Sequence, residues 1–187
     1  TFGADAVLPG KIKLNTELAV SNHDINTFSH NDKKDNIGFA MLTGLNKIWK
    51  PGRKDSSGWT LATGIFYEYT GKNFNPVEPY RPVEFNRDWN IQSLKPETEH
   101  FTGLKILATG NPGNFLNYEL KGLWREKNYS GIMNRLNGVA ETRRIHAFLD
   151  GSYLKTSNLG IYSDFIRNKA ELAWKFEKFR IGLRDDQ

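Results

Sequence analysis

The sequence predicts an all-β protein: an antiparallel meander that forms an up-and-down β-barrel, a barrel segment or a sandwich, with one long Pro-containing excursion at a rim. Three observations carry this. Apolar and polar residues alternate with a period of two through most of the chain. Most connections between the alternating segments are too short for the roughly dozen residues of a parallel crossover. The pattern is broken once, by a stretch holding Pro76, Pro79, Pro82 and Pro96.

The elements follow in order. In GKIKLNTELAVS, Ile12, Leu14, Thr16, Leu18 and Val20 share one face, with Lys13, Asn15, Glu17 and Ser21 on the other. NIGFAMLTGLNK repeats the pattern with Ile37, Phe39, Met41, Thr43 and Leu45, and after a Lys/Gly/Ser turn it returns as Trp59, Leu61, Thr63, Ile65, Tyr67 and Tyr69. Thr102, Leu104, Ile106 and Ala108 lead into TGNPGN, where Pro112 and Gly113 suit the centre of a type II turn. On the far side of this hairpin come Leu116, Tyr118, Leu120, Gly122 and Trp124. Ile145, Ala147, Leu149, Gly151 and Tyr153 then alternate with His146, Phe148, Asp150 and Ser152, before a turn at TSNLG.

Asp164 to Phe179 supports two readings. Phe165, Leu172, Phe176 and Phe179 fit a helical stripe, and Ala170 to Lys175 are good helix formers. Against this, Ala170, Leu172, Trp174 and Phe176 alternate with Lys169, Glu171, Lys175 and Glu177, and Phe179, Ile181 and Leu183 continue the alternation. Two strands are the reading adopted.

A chain of 187 residues suits a single β domain, 1–187, with 71–99 as a long loop excursion at one rim. It opens on Thr1 and closes on Asp185, Asp186 and Gln187 directly after a strand pattern, which leads us to expect a piece of a longer polypeptide whose remainder is a partner. The formal charge is +5, but basic residues alternate with acids along the chain and form no polybasic run, so no nucleic-acid partner is expected. The absence of cysteine excludes disulfides and thiolate metal sites. No apolar run approaches the roughly 18 residues of a membrane helix.

One face of the alternating strands carries aliphatic and aromatic residues; the other carries Lys13, Glu17, Glu68, Lys105, Glu119, Lys121, Arg125, Lys169, Glu171, Lys175, Arg180 and Arg184. Two architectures satisfy this. An outer-membrane barrel sets the first face on lipid and the second in a polar lumen, with aromatic girdles. A soluble sandwich or barrel sets the first face in its core and the second in water. The combination of SNHDINTFSHNDKKDNIGFA, FYEYTGKNF and PYRPVEFNRDWN resembles stretches of large β-rich outer-membrane or cell-surface proteins of the Bacteroidetes type, over roughly residues 11–90. The resemblance implies a bacterial cell-envelope setting, with outer membrane or envelope components as partners, and supplies no catalytic residues.

The densest chemistry lies in YRPVEFNRDWN, where Tyr80, Arg81, Glu84, Arg87, Asp88 and Trp89 are the candidate site residues. From Val83 the stretch alternates, so as a strand it sets Glu84 and Asp88 on one face about 13 Å apart at ~3.3 Å per residue. That exceeds the roughly 5 to 9.5 Å of a glycosidase pair. The better reading is a structural latch: Arg81 and Arg87 hold Glu84, Asp88 or acids on neighbouring strands, while Phe85 and Trp89 anchor apolar surface.

Asp24, Asn26, Asp32 and Asp35 form an oxygen-rich loop, but Phe28 falls where a ligand oxygen is needed and no glycine marks a sharp turn, so a polar connection is preferred to a calcium site. His23 and His30 lack zinc spacing, and no phosphate loop, GxSxG or HExxH occurs. No cofactor or metal is expected. The expected function is a non-catalytic scaffold or interaction module of a cell-envelope protein. The alternatives are a carbohydrate-binding module, with a glycan stacked on exposed tryptophans among Trp59, Trp89, Trp124 and Trp174, and a glycan-cleaving enzyme with two acids converging in one cleft.

Overall fold

The computed structural model describes residues 1–23, 36–50, 58–91, 95–110, 113–126 and 128–186. The acidic loop at 24–35, the Lys/Gly/Ser turn and Pro112 of the expected type II turn lie outside them. Ten strands form one sheet in the order of the sequence, each antiparallel to the next. They are β1 (Phe2–Leu8), β2 (Ile12–Asn22), β3 (Ile37–Trp49), β4 (Thr60–Thr70), β5 (Glu99–Thr109), β6 (Phe115–Arg125), β7 (Tyr129–Glu141), β8 (Ile145–Asn158), β9 (Ile161–Lys175) and β10 (Arg180–Asp186). Among the described residues the sheet is not closed, so β1 and β10 each pair along one side only. Asp164 to Phe179 is extended: β9 runs through it, and the chain turns back at Phe176, whose amide bonds the Phe179 carbonyl at 2.8 Å.

Cross-strand partners share a face, so the register separates two faces across the whole sheet. One row runs Val7, Lys13, Asn46, Gly64, Lys105, Glu119, Arg135, Ser152, Arg167. It starts beside the β1–β2 turn and reaches β9 near mid-strand, which is the stagger of tilted strands. This face carries nearly all the strand charges. It is also where the described residues of the excursion, 71–91 and 95–98, fold, so we call it the covered face. The opposite, open face carries the apolar alternation. Within the strands its Asp, Glu, Lys and Arg residues are only Lys47, Lys155, Asp164 and Asp185.

Burial is inverted relative to a water-soluble sheet. Many open-face apolar residues are exposed: Ile65 is 50% and Ile166 73% accessible, and Leu18, Phe39, Leu116, Ile132 and Leu183 are likewise exposed, while others such as Leu45, Leu104 and Leu120 are half-buried between neighbouring strands. The total accessible surface is 13936 Å², against about 9,100 Å² for a compact monomer of this mass. The core lies on the covered face, where Trp89, Phe101, Leu123, Tyr129 and Leu154 cluster with Phe66, Phe85, Ile91 and Met133. Most aromatic residues of the open face gather toward its two ends, with Tyr118 and Tyr153 between them. Trp49, Trp59 and Trp174 lie at the end with the β3–β4 and β9–β10 turns; Phe39, Tyr69, Trp124 and Tyr162 lie at the other. Aliphatic rows such as Leu45, Ile65, Leu104 and Leu120 run between them.

One local assignment is corrected. Residues Phe85–Asp88 form a helical turn, α1, and not a strand. The alternation of apolar and charged side chains there is incidental. Phe85 and Trp89 sit four apart and so share one helical face, with ring centroids 6.1 Å apart, while Val83 projects into solvent. The excursion keeps to the rim, where its aromatic residues pack on the covered face near the strand ends. It leaves β4 after Thr70, and Phe85 and Trp89 join Phe101, Leu123 and Tyr129 in the core before Glu99 opens β5.

Candidate functional site

The candidate site is built where residues 71–91 and 95–98 dock on the covered face, and small residues make the docking geometry. The Gly71 amide bonds the Phe39 carbonyl at 2.9 Å, and the Phe74 amide bonds that of Gly71 at 2.9 Å. At Gly38 any Cβ would collide with the backbone of Asn73 and Phe74, so glycine is required for this close approach. The Asn75 amide then donates to the Ser21 hydroxyl at 2.9 Å, and the Tyr80 and Thr70 hydroxyls lie 3.2 Å apart.

Farther along, α1 presents Phe85 and Trp89 to the sheet. Both rings meet Phe101 edge-on, at centroid distances of 5.7 and 5.6 Å. Trp89 is only 3% exposed, and Gly131 lies beneath it, where a Cβ would come within 3.0 Å of the indole. The buried Tyr129 hydroxyl donates to the Trp89 carbonyl, capping the end of α1. Asn90 leaves the helix in the left-handed region at φ 51°, a conformation asparagine tolerates better than most residues.

Beside these rings lies a tight ion cluster. Arg81 reaches Glu68 on β4 at 2.6 Å and Glu99 on β5 at 3.4 Å. Arg125 on β6 meets Glu99 at 2.9 Å through Nε and the Lys95 carbonyl at 2.9 Å through a terminal nitrogen. Arg81 also lies over the Phe85 ring at 4.3 Å and the Phe101 ring at 4.8 Å. Two guanidiniums thus meet two carboxylates, all mostly shielded from water, tying the excursion to three adjacent strands.

The second half of the predicted constellation is looser. Arg87 contacts Glu84 at 2.8 Å and Asp88 at 3.5 Å, and Asp88 faces Arg167 of β9 at 3.9 Å. Arg87 is 65% exposed and Arg167 70%. Of the six residues singled out in the sequence, Tyr80, Arg81 and Trp89 therefore sit against the sheet, while Glu84, Arg87 and Asp88 form the solvent side of α1. Glu68, Glu99, Arg125 and Tyr129 belong to the same arrangement but are separated in sequence, and no local pattern marks them. The tryptophans form no shared platform: Trp89 is buried, and Trp59 and Trp174 lie at the opposite end of the open face from Trp124. Glu68 and Glu99 do converge, and arginine engages both.

No described helix is long and apolar enough to cross a membrane, and no metal-holding group of His, Cys, Asp or Glu occurs among the described residues. Comparison of the chain with family models, curated proteins and solved structures finds no match in any of the three.

Proposed function

We propose that this chain is a wall segment of a bacterial outer-membrane β-barrel, a non-catalytic scaffold or interaction module whose 71–98 excursion lies on the lumen side. One observation carries the reading: an apolar face with no element covering it among the described residues and many of its side chains exposed, opposite a charged face that holds the core and the docked excursion. In water this arrangement wastes the hydrophobic effect, whereas in a bilayer it is the expected one. The aromatic bands support it quantitatively. Trp59 to Tyr69 spans about 33 Å along β4 at ~3.3 Å per residue. At a strand tilt of ~40° that projects to about 25 Å, the height of the apolar band of such barrels. In a bilayer the free sides of β1 and β10 must each pair with a further strand. The test is purification with and without detergent. Folded, monodisperse protein is expected only in detergent or lipid, and a cooperative, monodisperse fold in plain buffer would overturn the reading.

A further inference from the structure

We propose that the covered face binds a small organic anion, an acidic group on an apolar body, in the cavity between α1 and strands β7–β9. The cavity has a volume of about 550 Å³, within the ~300–1,000 Å³ usual for small-molecule sites. Its floor is Met133, Leu154 and Phe165, and Arg87, Arg135 and Arg167 rim it. Phe165 is 43% exposed and is an aromatic among charges on an otherwise polar stretch of β9. A planar guanidinium offers paired donors to carboxylate or phosphate, and an aromatic face receives an apolar body.

The ion pairs here differ from those holding the excursion. Arg135 meets Asp150 at 3.3 Å and Arg167 meets Asp88 at 3.9 Å, and Arg87 meets Glu84 at 2.8 Å; all are solvent-accessible pairs, which contribute little to stability. The Arg81 cluster is short and shielded and already fixes the excursion, so the rim arginines are free to exchange their carboxylate partners for a ligand. The surroundings favour an anion. Lys169 also lines the cavity, so four cationic side chains, Arg87, Arg135, Arg167 and Lys169, face three carboxylates, Asp88, Asp150 and Asp186, and the local balance is positive by one charge.

The site goes beyond the membrane reading, because it can be tested in whichever medium the chain folds. Calorimetric titration with phenyl phosphate and with inorganic phosphate is the experiment. Saturable binding of phenyl phosphate is expected, tighter than that of inorganic phosphate. It should weaken by more than about tenfold in Arg135→Ala/Arg167→Ala, with the melting temperature unchanged. Phe165→Ala provides a second variant that spares every ion pair; it should weaken phenyl phosphate and leave inorganic phosphate unaffected. Absence of saturable binding, binding that survives the double substitution, or equal affinity for the two probes would each overturn the site.

Discussion

Arg81 bridges Glu68 and Glu99 beneath the excursion, whereas Arg87 directs its guanidinium at Glu84 and Asp88 in solvent. Replacing Arg81 by alanine leaves two shielded carboxylates with Arg125 alone to offset them, and removing one partner from such a cluster costs about 3 kcal/mol. Arg87→Ala loses only exposed pairs, and less than about 1 kcal/mol is expected. Denaturant unfolding of the two variants measures the difference, and equal losses would refute the ranking. Trp89→Ala removes a core ring that touches Phe101 and Gly131, for a loss of about 3–5 kcal/mol in the same assay. These three residues stand in one short stretch, so the sequence marks them as a group. Their partners are legible only in part. Nothing local ties Arg81 to Glu68, Glu99 and Arg125, because that contact is created by strand order and by the path of the excursion.

At the level of elements, docking depends on places where the sheet lacks a side chain. A Cβ at Gly131 would meet the Tyr129 hydroxyl at 2.6 Å and the Trp89 ring at 3.0 Å, so Gly131→Val should lift α1 from the sheet. Hydrogen exchange is the readout. The Trp89 and Ile91 amides, bonded to the Phe85 and Asn86 carbonyls at 3.0 and 2.8 Å, should lose protection while the β4–β5 ladder keeps it. Unchanged protection at Trp89 would show that Gly131 is not what admits the ring. Strands with strong contrast between faces, such as β2, β4 and β6, are legible from alternation alone. β7 is not, because Asn134 and Gly138 on its open side match Asn137 and Gly131 on its covered side in polarity and size. β1 escapes for a related reason, since Ala4 and Ala6 carry little apolar signal. In β9 the alternation outweighs helix propensity because the strand gains a ladder with β8 along its length, and residues 169–174, within the helix-forming stretch, gain a second neighbour on β10. Residues 85–88 show the reverse: they have no strand beside them, and burying Phe85 and Trp89 together selects a helical turn.

At the level of the whole molecule, which face meets which solvent decides where a charge can be tolerated. Ile65 and Leu120 lie in one row with Leu45 and Leu104, midway between the two aromatic bands of the open face. If that face meets lipid, arginine at either position sits near the bilayer midplane and costs about 2–4 kcal/mol. Glu17 lies on the covered face of β2 and is exposed, so Glu17→Arg should stay within about 0.5 kcal/mol. Folding into lipid vesicles, followed by β-sheet circular dichroism and protection from protease, should therefore fail or slow for Ile65→Arg and Leu120→Arg and proceed normally for Glu17→Arg. A protein folded in water predicts another ranking, because Ile65 is already half exposed and its replacement by arginine would then be nearly neutral. The two solvents thus give opposite outcomes at Ile65. A neutral Ile65→Arg in chain that folds without lipid would remove the membrane from the proposal and leave the docked excursion and its arginine cluster as they stand.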